Sequence, residues 1–364
     1  MGHSGLRHGI SPLRCDGVHY LGSLAHWMSR SERTVCFRGQ WQSEFLYLGP
    51  RPTGETRMID DKEAVRVAAM VKALERHPDY RVLRRLQPRA KYGVPDEFSY
   101  VANGVLVDTE TTGLNPEKDE VIELGMLRFS YDAETGQVFE VQDSYGALEQ
   151  PSRSIPPETT RIHGITDALV AGQRIDDAHV AVLLSDVSVV IAHNAAFDRR
   201  MLERRLPVFE RYRWACSVKE VPWAAEGFGS QKLEYLLGQF GFFHTAHRAL
   251  DDCQALLEVL QHTLPRSGRP GLYHLLRSAV GESCRIWAVD APYERKDRLK
   301  ALGYRWDADA YCWTLMTTRD ALCEDLQTLK EAGYGGNSVP VKVEVLDATV
   351  RYSDRAGRLE NRYL

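Results

Sequence analysis

Residues 105–113 read VLVDTETTG. Val105, Leu106 and Val107 are β-prone aliphatics that belong in a core, yet they run straight into Asp108 and Glu110. Residues i and i+2 of a strand face the same side of a sheet, so both carboxylates point one way. Two like charges that close repel, and one pKa is driven up unless something positive lies between them.

Two other places put acid where a core would not want it. The strand-like VVIAHN runs into AAFDRR, which sets Asp198 in the first turn of a helix. The amphipathic stretch HRALDDCQALLEVL carries His247 and, five residues on, Asp252, with Leu250, Leu256 and Val259 as its apolar face. Asp108, Glu110, Asp198 and Asp252 are therefore expected to converge at the ends of two central strands and one helix. Hard divalent cations take oxygen ligands, and two such ions together clamp the attacking and leaving oxygens of an in-line displacement at phosphorus. A histidine beside them suits the role of proton acceptor near neutral pH.

The spacing of apolar residues and turn signals divides the chain. Residues 1–57 have little periodicity and are unassigned, either disordered or a mis-called extension ahead of a start at Met58. Residues 58–98 read as a helical hairpin, capped by Asp60 or Asp61 and broken at His77-Pro78-Asp79. Residues 99–264 begin with three strands and continue as alternating helices and strands, an α/β pattern of a mixed sheet with helices packed on it. PRSGRPG opens a linker over 265–282, and 283–364 reads as a small α+β domain.

Charge follows these divisions. Residues 1–100 hold 16 Lys+Arg against 11 Asp+Glu, 101–265 hold 14 against 25, and 266–364 hold 16 against 14. An acidic middle suits bound cations, and the basic flanks would then help attract a polyanion. The seven scattered cysteines, with no C-x-x-C pair, read as reduced packing residues. No apolar run reaches membrane-spanning length and no signal peptide is evident, so a cytoplasmic location without membrane contact is expected.

VDTETTG, HNAAFD and HRALDD resemble, in order and spacing, the three motifs of the DEDDh exonucleases, the family of the proofreading epsilon subunit of bacterial replicative DNA polymerase. Asp108 and Glu110, then Asp198, then His247 and Asp252 match that pattern position by position, and RIHGIT is similar as well. The resemblance covers about residues 101–264. It implies a ribonuclease-H-like fold with a five-stranded mixed sheet flanked by helices. It also implies 3′-to-5′ hydrolysis to nucleoside 5′-monophosphates with two divalent ions, Mg²⁺ or Mn²⁺, and His247 as general base. The family places contacts to the terminal nucleotide just after the first acids, which implies Thr109 through its amide, Thr111, Thr112 and Leu114; the alternative is that these are turn residues. His163 is implied beside the substrate backbone, and Asn194 beside the cleft.

The expected partner is the 3′ end of a nucleic acid, single-stranded DNA ahead of RNA, with a polymerase or repair protein as a further partner. Two rival readings stand: an exoribonuclease or short-oligonucleotide scavenger of the same chemistry, and a non-catalytic nucleic-acid-binding module. In the tail, Tyr293, Lys296, Lys300, Arg305, Trp306 and Trp313 interleave base and ring as single-stranded nucleic-acid surfaces do. The competing reading makes Trp306 and Trp313 core residues of a small domain.

Overall fold

The computed structural model describes residues 60–364. The unassigned stretch 1–57 and the candidate start Met58 lie outside the described residues. Two compact units are present, one of residues 60–285 with 343–360 and one of 286–342 with 361–364.

The larger unit is built on five strands: β1 (Val101–Thr111), β2 (Val121–Asp132), β3 (Val138–Leu148), β4 (Val187–Ala192) and β5 (Trp214–Cys216). Their order is β3-β2-β1-β4-β5. The first three form an antiparallel meander, while β4 pairs parallel with β1 and β5 parallel with β4. This is the mixed sheet of a ribonuclease-H-like fold, and the reason is visible in the chain: short turns join β1 to β3, whereas a parallel return needs a helical crossover. The helices longer than one turn are α1 (Asp61–Glu75), α2 (Pro157–His163), α3 (Asp177–Leu183), α4 (Ala195–Arg205), α5 (Leu233–Gln239), α6 (Ala249–Gln261) and α7 (Gly271–Val280). The two faces of β1 feed two cores. Leu106 shares one with Cys253, Leu256 and Leu257 of α6, and Val105 and Val107 share the other with Met201 and Leu202 of α4.

Three expectations about the flanks require correction. The hairpin expected over 58–98 supplies one helix, α1, capped by the Asp60 carboxylate at the Glu63 amide; its Val65 and Met70 are exposed. Among the described residues no second helix follows. Instead Arg84–Arg85 pairs parallel with Phe242–Phe243, because prolines at 78, 88 and 95 favour extended backbone. The expected linker at 265–282 contains α7, whose Leu272, Leu275 and Leu276 are buried in the core shared with α6. The expected domain at 283–364 has a five-stranded sheet of its own, but its segment 343–360 also belongs to the larger unit.

That last segment is held by a buried cation. Arg199, on α4, is 0% exposed; its guanidinium donates to the carbonyls of Ala348 (3.1 Å), Thr349 and Arg351 (2.6 Å) and to Glu203 (2.6 Å). Arg351 in turn pairs with buried Glu220 at 3.1 Å, which also accepts from the Tyr352 hydroxyl at 2.7 Å. The remaining strands, β6 (Ser283–Ala288), β7 (Arg305–Asp307), β8 (Cys312–Thr318), β9 (Pro340–Leu346) and β10 (Arg358–Tyr363), make a second sheet in the order β10-β9-β6-β8-β7, with helices α8 (Lys296–Ala301) and α9 (Leu322–Tyr334). Cys216, Cys253 and Cys312 are buried free thiols, as their scatter suggests. Among the described residues no helix is long and apolar enough to cross a membrane.

Arg199→Ala would leave three carbonyls and Glu203 without this donor in a dry site. Urea denaturation should show a loss of about 3–5 kcal/mol, the cost of breaking a buried, charge-assisted set. A loss below about 1 kcal/mol would mean that 343–360 is held by other contacts.

Candidate active site

The alternation of β1 continues past its core residues. Asp108 and Glu110 extend the face of Leu106 toward α6, and Thr109 extends the face of Val107 toward α4. Asp252 enters from the first turn of α6, and carboxylate oxygens of Asp108, Glu110 and Asp252 lie within 4.8 Å of one another. Gly125 makes that approach possible. It sits directly opposite Asp108 on β2, and a Cβ there would stand 2.3 Å from the carbonyl carbon of Ala249, at the start of α6. Any side chain at 125 would push the helix and Asp252 away.

Asp198 reaches the same edge by the other route. Because β4 is parallel to β1, with Ala192 opposite Val107, its connection to α4 leaves at the end of β1 that bears the acids. Asn194 turns the chain there with φ of 79°, a left-handed conformation that asparagine tolerates better than most residues. Its contribution is to the path of the loop. His193 is anchored by its Nδ1 at 2.7 Å from Ser217 Oγ. Asp198 then falls in the first turn of α4, buried, and accepts the Thr109 hydroxyl at 2.9 Å.

The electrostatics of the cluster are those of crowded, desolvated anions. Burial first, then the charges of Asp198, Asp252 and Glu110, hold Asp108 well above the ordinary carboxylate range. Burial, Asp252 and Glu123 push Glu110 up to about 8, against the opposing charge of Arg248. Burial raises Asp198 to about 7 in spite of the Thr109 hydrogen bond. Such a set is stable when protonated or when a cation is present. The three carboxylates whose oxygens meet, with Asp198 near enough for its charge to raise Asp108, are hard oxygen donors of the kind a divalent cation takes.

His247 does not lie within α6, as its motif suggests. It precedes the helix in a left-handed turn with φ of 64°, while the Arg248 amide donates to Asp252 Oδ2 at 2.9 Å and closes the first turn. His247 is near enough to His163 for its charge, after burial, to lower the pKa of that buried histidine; His163 Nδ1 accepts the Ile165 amide at 3.0 Å. The hydroxyls of Thr111 and Thr112 are engaged within their own turn, the first donating to Gly113 O at 2.6 Å and the second accepting the Glu120 amide at 3.0 Å. Leu114, just beyond, is 84% exposed. Asp251, next to Asp252, is half-buried.

Three contributors escape a reading of the motifs. His244 Nε2 lies 2.9 Å from Asp252 Oδ1 and orients that carboxylate. Glu123, opposite Glu110 across the β1–β2 pair, would add a fifth repelling acid; Arg248 neutralises it with Nη2 at 2.9 Å. A buried acid in the run EVIELG was the available sign of Glu123, whereas nothing local marks His244. Among the basic residues near the N-terminal end, Arg84 pairs with Glu75, Arg89 with Glu258 at 2.7 Å, and Arg81 with the Gly238 carbonyl. Arg85 extends to the loop before α6, donating to Thr245 Oγ1 at 3.0 Å over the Phe243 ring. A cleft of about 650 Å³ between residues 86–92 and β3 reaches Glu123, Arg248 and Asp251 but is lined by none of the five motif residues.

A family model described as Exonuclease matches residues 105–260. DNA polymerase III subunit epsilon of Treponema pallidum is 32% identical over 165 residues, covering 42% of this chain and 72% of that protein. The PolC-type DNA polymerase III of Thermotoga petrophila is 31% identical over 166 residues, 43% of this chain and only 12% of the polymerase. Among solved structures, Exonuclease X in complex with 5′ overhanging duplex DNA matches at 23% identity with a TM-score of 0.33, covering 47% of this chain and 99% of that one.

The raised carboxylates set a pH dependence. A carboxyl whose folded pKa lies above its unfolded value of about 4 stabilises the fold fully below that value, and the contribution is lost as pH rises through the folded pKa. With Glu110 near 8 and Asp198 near 7, the melting temperature of the protein in EDTA should fall between pH 5 and pH 9, a loss of roughly a few kcal/mol. Mn²⁺ should restore it, more at pH 8 than at pH 6. A melting temperature that is flat with pH and unmoved by Mn²⁺ would contradict the crowded-anion picture.

Proposed function

This chain belongs to the exonuclease family that includes the epsilon subunits of DNA polymerase III, and on that premise we propose that it removes nucleotides from the 3′ end of single-stranded DNA. The observation that supports this most is the meeting of Asp108, Glu110 and Asp252 oxygens within 4.8 Å. In this reading Asp108, Glu110, Asp198 and Asp252 would hold two divalent cations, Mg²⁺ or Mn²⁺. Such ions, when bound, offset the charge of the phosphodiester and of the departing oxygen.

The chain's own groups do the rest. His247 takes a proton from the attacking water as its oxygen bonds to phosphorus. The bond from phosphorus to the 3′-oxygen of the preceding nucleotide breaks, so the phosphate stays on the released nucleoside 5′-monophosphate. The Thr109 amide and exposed Leu114 meet the terminal nucleotide, Thr111 and Thr112 keep that rim in shape, and His163 faces the substrate backbone. Asn194 fixes the turn that delivers Asp198.

The names of the curated relatives favour DNA over RNA and a polymerase as partner; we propose a repair protein as the alternative partner, and the cytoplasm as the location. Residues 99–264 with α7 would form the nuclease body, and 283–342 an accessory unit.

A time course on matched 5′-labelled single-stranded DNA and RNA with Mn²⁺ tests the proposal. DNA should shorten stepwise from its 3′ end, faster than RNA. Faster RNA cleavage would move the substrate to the exoribonuclease reading, and cleavage of neither would leave a binding module. Asp108→Ala should be inactive while keeping its melting temperature in EDTA, since it removes a repelling charge. His247→Ala should lower kcat by about 10²–10⁴ with little change in KM; a kcat within about twofold of the parent would remove His247 from the role of base.

A further inference from the structure

We propose that the smaller unit carries a separate stacking site for single-stranded DNA, formed by Tyr293, Lys296, Lys300, Trp313 and Trp306. These side chains make one continuous strip. Lys296 Nζ lies 4.0 Å from the Tyr293 ring centroid and 2.6 Å from its hydroxyl oxygen. One helical turn along α8, Lys300 Nζ lies 5.9 Å from the centroid of Trp313, on β8. Trp313 is the register partner of Trp306 on β7, and their rings meet edge to face at 5.6 Å.

The strip is not spent on folding the unit. The buried side chains of the unit are others, among them Leu299, Tyr304, Cys312, Leu322, Leu329 and Tyr334. Tyr293 is 73% exposed and Trp306 51% exposed, which corrects the reading of Trp306 as a core residue; Trp313 is half-buried. Water-facing rings with ammonium groups beside them match a ligand that offers aromatic faces and negative charge in alternation, which is what a single strand of nucleic acid presents. A purely apolar partner segment would gain nothing from the lysines. Residues 292–306 hold five Lys+Arg against two Asp+Glu. Asp307, the next acid, is turned into the hairpin, where it accepts the amides of Asp309 and Ala310 at 3.1 and 3.0 Å.

The choice of DNA as the strand rests on the proposed function; the strip itself does not. The test uses the full chain in EDTA and a fluorescein-labelled oligothymidylate of about 16 nucleotides, read by anisotropy. Trp306→Ala and Tyr293→Ala should each weaken binding by about 5- to 100-fold, with Trp306→Tyr recovering most of the loss. Lys296→Glu with Lys300→Glu should reduce the salt dependence of binding by at least about one ion. Hydrolysis of the p-nitrophenyl ester of thymidine 5′-monophosphate, which occupies only the catalytic edge, should be unchanged in all of them. Binding as tight as the parent's in both alanine variants would overturn the proposal. An ester left uncleaved by the parent would count against the catalytic reading instead, and the binding series would still decide the strip.

Discussion

Repulsion among carboxylates at the end of β1 is the constraint on which the larger unit turns. Asp108 and Glu110 are delivered to one face by strand alternation, Asp252 is brought against them by α6, and Asp198 arrives at the same edge on α4. Nothing in hydrophobic packing rewards this. The pKa values of Asp108, Glu110 and Asp198 are all raised, so their ionised forms are paid for elsewhere in the fold. A site held in that condition is preorganised for cations and costs stability without them.

The supports of the cluster are correspondingly strong. Gly125 lets the start of α6 touch β2, and Arg248 cancels the additional charge of Glu123. Thr109 ties the Asp198 carboxylate to β1, so that one strand touches acids on both faces. On the far side of α4, Arg199 follows Asp198 directly and is locked by the carbonyls of 348, 349 and 351. A segment more than a hundred residues away in sequence therefore braces the helix that carries a proposed metal ligand.

The central sheet and its acids were legible because each depends on short-range pattern. Strand alternation in VLVDTE, the helical period of ALDDCQALLEVL and the turn residues between strands are local signals. Where the sequence misled, distant partners decided the outcome. PRSGRPG looks like a linker, but the apolar stripe of α7 is read correctly only once the core of α6 is there to receive it. Arg199 has the composition of a surface helix residue, and its burial follows from carbonyls contributed by 348–351. His244 and His247 are three residues apart, and the motif selects only the second, although His244 is the one bonded to Asp252.

Whether the acids of β1, α4 and α6 form a cation site is decided by counting bound Mn²⁺ with titration calorimetry on the metal-free protein. Two ions per chain, with affinity falling at least about tenfold in Glu110→Gln and Asp252→Asn, is the result expected. Absence of Mn²⁺ binding at millimolar concentration, or binding untouched by either substitution, would contradict it.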